Sequence, residues 1–218
     1  PEAPQGRRVK PIPADADPTD PRWESAFLDL AQGLVLAGAK IRIINRFVDI
    51  PVTKIRRMYR VLRDMDPPSG PILQGNARFF AMPGKHTSEA WNFQCSIFLG
   101  CYERIGNITD VSLHRGWRML AAFSVYLSLT DKLSRDTGVK RLDINHAYAL
   151  LTHCGFLEAG GKSELQRQEC PVCLMSYLVV TTERLDLQGC PICAMNANSV
   201  RLAQQGVDSA LRAQPPKA

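Results

Sequence analysis

The chain has 218 residues, 45% of them hydrophobic and 22% charged, with a formal net charge of +6 and a sequence pI near 9.1. That supplies enough apolar side chain for one medium domain, or for a core domain with a small appendix. No run approaches about 18 uncharged apolar residues and no apolar h-region opens the sequence, so neither a membrane span nor a secretory signal is expected.

Residues 1–21, rich in Pro, Asp and Ala, hold almost no large apolar side chains and are expected to be disordered or peripheral. From Trp23 the apolar positions Trp23, Phe27, Leu30 and Leu34 step at helical spacing. Ala39, Ile41 and Ile44 predict a second helix ending near Phe47. Pro51 breaks the pattern at Ile50 and opens a third helix to about Asp64, with Ile55, Met58, Tyr59 and Leu62 on one face.

The run Asp66–Pro71 is a stop and a loop. Longer helices are predicted at about 88–104, with Trp91, Phe98 and Tyr102 inward, and at about 110–133. The second of these carries Leu113, Trp117, Leu120 and Phe123 or Ser124. A shorter helix near 143–154 has Asp143 as N-cap and Gly155 as its stop. Gly160-Gly161 marks a boundary. Four segments result: 1–21, a helical body at 22–160 with a helix-turn-helix at about 40–64, a cysteine module at 161–200, and a tail at 201–218.

Charge is concentrated in one place. Residues 40–63 hold eight cations (Lys40, Arg42, Arg46, Lys54, Arg56, Arg57, Arg60 and Arg63) against Asp49 alone, so the rest of the chain is close to neutral. On the third helix Arg56, Arg60 and Arg63 form a ridge away from the apolar face, with Arg57 beside them. A braced helix of this kind suits a major groove about 12 Å wide, its arginines forking onto phosphates or guanine edges. These eight residues are the candidate contacts to double-stranded DNA. The bland alternative is a solvated face, or one that grips an acidic protein partner or RNA.

Seven cysteines is an odd count, which argues against a fully paired disulfide framework. Cys95, Cys101 and Cys154 lie in apolar, helix-like surroundings. The remaining four form Cys170-Pro-Val-Cys173 and Cys190-Pro-Ile-Cys193, with sixteen residues between the pairs. Two residues between thiolates let one tight turn aim both sulfurs at one ion, and four sulfurs complete a tetrahedron round a single structural Zn²⁺. Such a site folds a module too small for its own core. Tyr177–Val180 in the spacer read as a strand. A redox CxxC, a single iron on four sulfurs and two disulfides remain the rival readings. Buried free thiols and a thiolate site fit a reducing cytoplasm.

No catalytic constellation stands out. The chain lacks a Gly-rich phosphate loop, HExxH and GxSxG, and His86, His114, His146 and His153 are scattered without metal spacing. The expectation is a non-enzyme.

In this order of parts the sequence resembles the FlhC family, the zinc-containing subunit of a bacterial flagellar master transcriptional activator. The matching residues are Leu36-Ala37-Gly38-Ala39-Lys40-Ile41, Ile50 through Arg63 with its Tyr59-x-x-Leu62-Arg63, Pro67-Pro68-Ser69-Gly70, Arg78-Phe79-Phe80 and the paired cysteines. The resemblance covers about 24–200. It departs in a longer Pro-rich start, a divergent centre, and Pro51 where a capping Ser is common. What it implies is a mainly α fold, a helical body with an N-terminal helix-turn-helix and a small C-terminal four-cysteine zinc-ribbon-like module. It also implies a bacterial cytoplasmic hetero-oligomer with a FlhD-like helical subunit, activating flagellar-type or conjugative-transfer promoters and recruiting RNA polymerase.

Overall fold

Phe27, Leu30 and Leu34 point one way from helix α1 (Glu24–Leu36), and with Ala31 and Val35 they are buried. The computed structural model that shows this describes residues 12–71, 76–81, 89–108, 113–137, 139–157, 162–182 and 190–194. The helix ends at Gly38, whose φ of +82° suits glycine, while Gly38 N and Ala39 N donate to Val35 O and Leu34 O at 2.9 Å. Next come α2 (Ile41–Ile44) and α3 (Val52–Arg63), the latter ending on Asp64 in the left-handed region.

A helix-turn-helix at about 40–64 is not shown by the two helices of that span. α2 is a single turn that buries only Ile43 and Ile44, too short to brace a 12-residue helix. Residues 45–51 separate the two in place of a tight turn, and they sink Phe47 and Val48 into the core. The brace for α3 is α1. Ile55 and Tyr59 are fully buried against the body, but Met58 is half-buried and Leu62 is 38% exposed, because α1 covers only part of the predicted apolar face.

A short helix, α4 (Ala77–Ala81), was not anticipated and buries Phe80. The long pair α5 (Glu89–Ile108) and α6 (Arg115–Thr137) forms the largest helix contact. Trp91, Phe98 and Tyr102 are inward as predicted. On α6 the buried ridge is Met119, Phe123, Tyr126 and Thr130, whereas Trp117 and Leu120 are half-buried and Ser124 is exposed. The predicted face is thus rotated. Phe98, edge-on to Tyr126 at 5.9 Å, sets its phase. α7 (Ile144–His153) begins on Asp143, whose carboxylate accepts from Asn145 N and His146 N, and Gly155 follows with φ +74°.

Two antiparallel strands follow, β1 (Leu165–Glu169) and β2 (Ser176–Val180), with Leu165 opposite Val180 and Arg167 opposite Leu178. β1 carries no strand pattern in the sequence, because Leu-Gln-Arg-Gln-Glu has a single buried position. β2 is buried on both faces. Leu178 and Val180 join the main core, while Tyr177 and Val179 cover the cysteines. The cysteine sheet is therefore joined to the helical body rather than hung from it.

Part of the N-terminal segment packs on the helical body. Ile12 is fully buried in the main core, His114 N donates to Ile12 O at 2.8 Å, and Pro13 bridges Leu113. One buried isoleucine contributes about 2 kcal/mol towards holding this stretch on the body. Residues 1–11, the Gly160-Gly161 boundary and the tail at 201–218 lie outside the described residues.

Candidate metal centre and basic face

The two CxxC turns bring four sulfurs together. All four Sγ atoms of Cys170, Cys173, Cys190 and Cys193 lie within 4.8 Å of one another. Across the pairs, Cys170 stands 3.7 Å from Cys193 and Cys173 stands 3.6 Å from Cys190. A disulfide needs about 2.05 Å, so these are not bonded. A tetrahedron with metal–sulfur bonds of about 2.3 Å has edges of about 3.8 Å, which is what the cross-pair separations approach.

Each turn also aims backbone N–H groups at its first sulfur. Val172 N donates to Cys170 Sγ at 3.4 Å, and the N–H of Cys173 draws the Cys170 thiol down to about 7. The second turn repeats the arrangement, with Cys193 N and Ile192 N directed at Cys190 Sγ. Burial nevertheless pushes Cys190 up, and hydrogen bonding with Cys173 pushes Cys193 up to about 12. Four crowded sulfurs resist common ionisation unless a cation lies between them. The donor set fits a tetrahedral thiolate site for one ion such as Zn²⁺, with no position left for water. When bound, such an ion acts as a structural cross-link.

The other three cysteines are buried elsewhere. Burial holds Cys95 well above the usual thiol range and lifts Cys154 to about 12, so both are inert thiols.

The eight basic residues of 40–63 divide into three groups. Two are engaged internally. Lys40 Nζ donates to Pro71 O at 2.5 Å while its backbone N donates to Asn145 Oδ1 at 2.9 Å. Arg63 Nη1 donates to Val35 O at 3.2 Å, closing the last turn of α1. Arg60 pairs with Asp66 at 3.3 Å, with both side chains at least 70% exposed, so the pair is weak and displaceable. Arg42, Arg46, Lys54, Arg56 and Arg57 are exposed, and their side chains make no hydrogen bond or ion pair with any described residue.

The histidines serve packing. His146 stacks on Phe79 at 5.7 Å, His114 sits edge-on to Phe27 at 5.3 Å, and His153 Nδ1 lies 2.6 Å from Glu164. His86 lies outside the described residues. Among the described residues, the cysteine set is the one His, Cys, Asp or Glu cluster with metal-holding geometry. No helix among them is long and apolar enough to cross a membrane.

The family model of FlhC, the flagellar transcriptional activator, matches residues 23–205. The chain belongs to the FlhC family. Its family is one of transcription activators and not of enzymes, and an activator implies DNA as a partner. Among curated proteins none matches the chain.

The segments that carry the resemblance to FlhC meet in space. The turn after α1 is gripped by Tyr59 OH, which donates to Ala39 O, and by Asn145 Nδ2, which donates to Gly38 O at 3.2 Å. A Cβ on Gly38 would stand 2.5 Å from the Arg63 guanidinium. The Gly-Ala-Lys turn and the Tyr-x-x-Leu-Arg helix are therefore one structural joint. The sequence alone presents Arg63 as a surface cation, because its helical phase is that of Arg56 and Arg60. Asn145, a polar residue within an apolar helix, gave no signal of its part.

Proposed function

We propose that this FlhC-family chain is the DNA-binding subunit of a heteromeric transcription activator in the bacterial cytoplasm, built with a FlhD-like helical subunit and one structural Zn²⁺. The observation that carries the reading is the state of α3. Ile55 and Tyr59 fix the helix to the body, while Arg56 and Arg60, four residues apart on its outer side, hold no buried partner. Solvated cations on a helix that is fixed to the body can exchange counterions for phosphates. Arg42 and Arg46 are further phosphate contacts in this reading, and Lys40 and Arg63 are not. Lys162 is exposed and available, whereas Arg167 is occupied by Glu103 and by Ser176 at 3.0 Å.

The thiolate site's part is to keep the β1–β2 hairpin folded against α5. Target promoters are flagellar or conjugative-transfer promoters, with RNA polymerase recruited there. The test is co-expression with the small helical subunit, then gel shifts on duplex promoter DNA between about 50 and 200 mM salt. Arg56→Ala/Arg60→Ala should weaken binding and flatten the log–log salt slope by about 1.8, at about 0.9 per phosphate. An unchanged slope and affinity, or preference for RNA over duplex DNA in competition, would overturn the reading.

A further inference from the structure

α3 has two flanks, and only one is an arginine ridge. Arg56 and Arg60 lie on one side of the Ile55–Tyr59 anchor line. On the other side Lys54, Arg57, Met58 and Val61 recur at helical spacing, on the flank that meets α1. Leu28 and Gln32, four apart on α1, form the opposite wall of an open groove of about 370 Å³. Leu28, Met58, Val61 and Leu62 give it apolar lining, and Val61 is 74% exposed. Lys54 and Arg57 stand at the rim with no partner among the described residues.

An apolar groove with two solvated cations along one wall does not suit a duplex, whose backbone offers no apolar ridge. It suits an amphipathic helix carrying carboxylates beside its apolar stripe. A second copy of this chain fits poorly, since a two-fold contact would set Lys54 and Arg57 against the same cations of its mate.

We infer that this groove docks an acidic amphipathic helix of a second protein, its apolar residues seated on Leu28, Met58 and Val61 and its carboxylates paired with Lys54 and Arg57. The inference rests on the heteromeric reading above and names the chemistry its partner must present. The same helix then serves two ligands, DNA on the Arg56–Arg60 flank and protein on the other.

The test is fluorescence anisotropy on the full, zinc-loaded chain. One probe is a synthetic helical peptide with leucines at helical spacing flanked by glutamates, and the other carries lysines in their place. The acidic peptide should bind about tenfold more tightly than the basic one. Val61→Glu should abolish its binding, and Lys54→Glu/Arg57→Glu should reverse the preference. Circular dichroism and zinc content check the fold, and the charge-reversal pair keeps the test valid if Val61→Glu destabilises the chain. Equal binding of both peptides, or a preference unmoved by charge reversal, overturns the inference. So does self-association of the wild type that Val61→Glu removes, which would make a second copy the occupant. Loss of the peptide preference beside intact co-purification of a helical subunit sinks the groove alone. A preference kept without any co-purifying subunit supports the groove while failing the heteromeric reading.

Discussion

Asn92 of α5 holds both backbone hydrogen-bonding groups of Leu178 in β2: its Nδ2 donates to Leu178 O at 2.8 Å and its Oδ1 accepts from Leu178 N at 2.9 Å. Nδ2 also donates to Ala81 O at 2.6 Å. The amide stands where a third strand would, pairing backbone groups that β1 does not reach. Asn92 is buried, so this link joins the helical body to the strand that covers the cysteines.

Asn92→Ala should therefore cost about 2–4 kcal/mol, since it orphans two buried groups on Leu178 and one on Ala81. Urea unfolding of the metal-loaded protein measures this. A loss below about 0.5 kcal/mol would show that water replaces the amide freely.

Arg63 and Arg56 should behave in opposite ways although they share a helical phase. Arg63→Ala removes the donor to Val35 O and is expected to lower stability by about 1–2 kcal/mol while leaving DNA affinity nearly unchanged. Arg56→Ala should leave the melting temperature within about a degree and weaken DNA binding. Thermal melts and gel shifts on the same two variants separate them, and a loss of DNA affinity without loss of stability in Arg63→Ala would contradict the internal role.

Metal removal should expose a defined set of thiols. Before chelation, a thiol reagent should find no fast-reacting cysteine. After chelation Cys170, Cys173, Cys190 and Cys193 should react quickly, while Cys95, Cys101 and Cys154 wait for denaturant because they are buried. The β-sheet signal in circular dichroism should fall together with metal release. A chelated protein with full sheet signal would mean that the strands hold without the ion.

Stability should decline at alkaline pH. Burial pushes the phenols of Tyr59 and Tyr126 up to about 12 from an ordinary 10.0. Both stay neutral in the folded state, Tyr126 donating to Gln94 Oε1 at 2.7 Å and accepting from Leu142 N at 2.9 Å. Above pH 10 the unfolded chain releases these protons first, so the stabilisation present below pH 10 is lost as pH rises towards 12. Denaturant midpoints across that window should fall, and less steeply in Tyr59→Phe. A flat alkaline limb in the wild type would argue that these phenols titrate normally.

Much of this molecule can be read without coordinates. The CxxC spacing announces four sulfurs for one ion because the reach of a two-residue turn is a local property. Asp143 and Gly155 bracket α7 for the same reason, and the cations of 40–63 stand out by counting. Other features depend on contacts across the chain. Tertiary structure alone decided that Arg63 turns to α1 while Arg56 stays in water, and that Ile12 enters the core despite its polar surroundings. It also decided that Val61 and Leu62 remain open because α1 covers only part of α3, and that a polar segment pairs as β1. Helical periodicity states which residues share a face; whether that face is covered depends on how far the neighbouring helix reaches, and no local pattern encodes that distance.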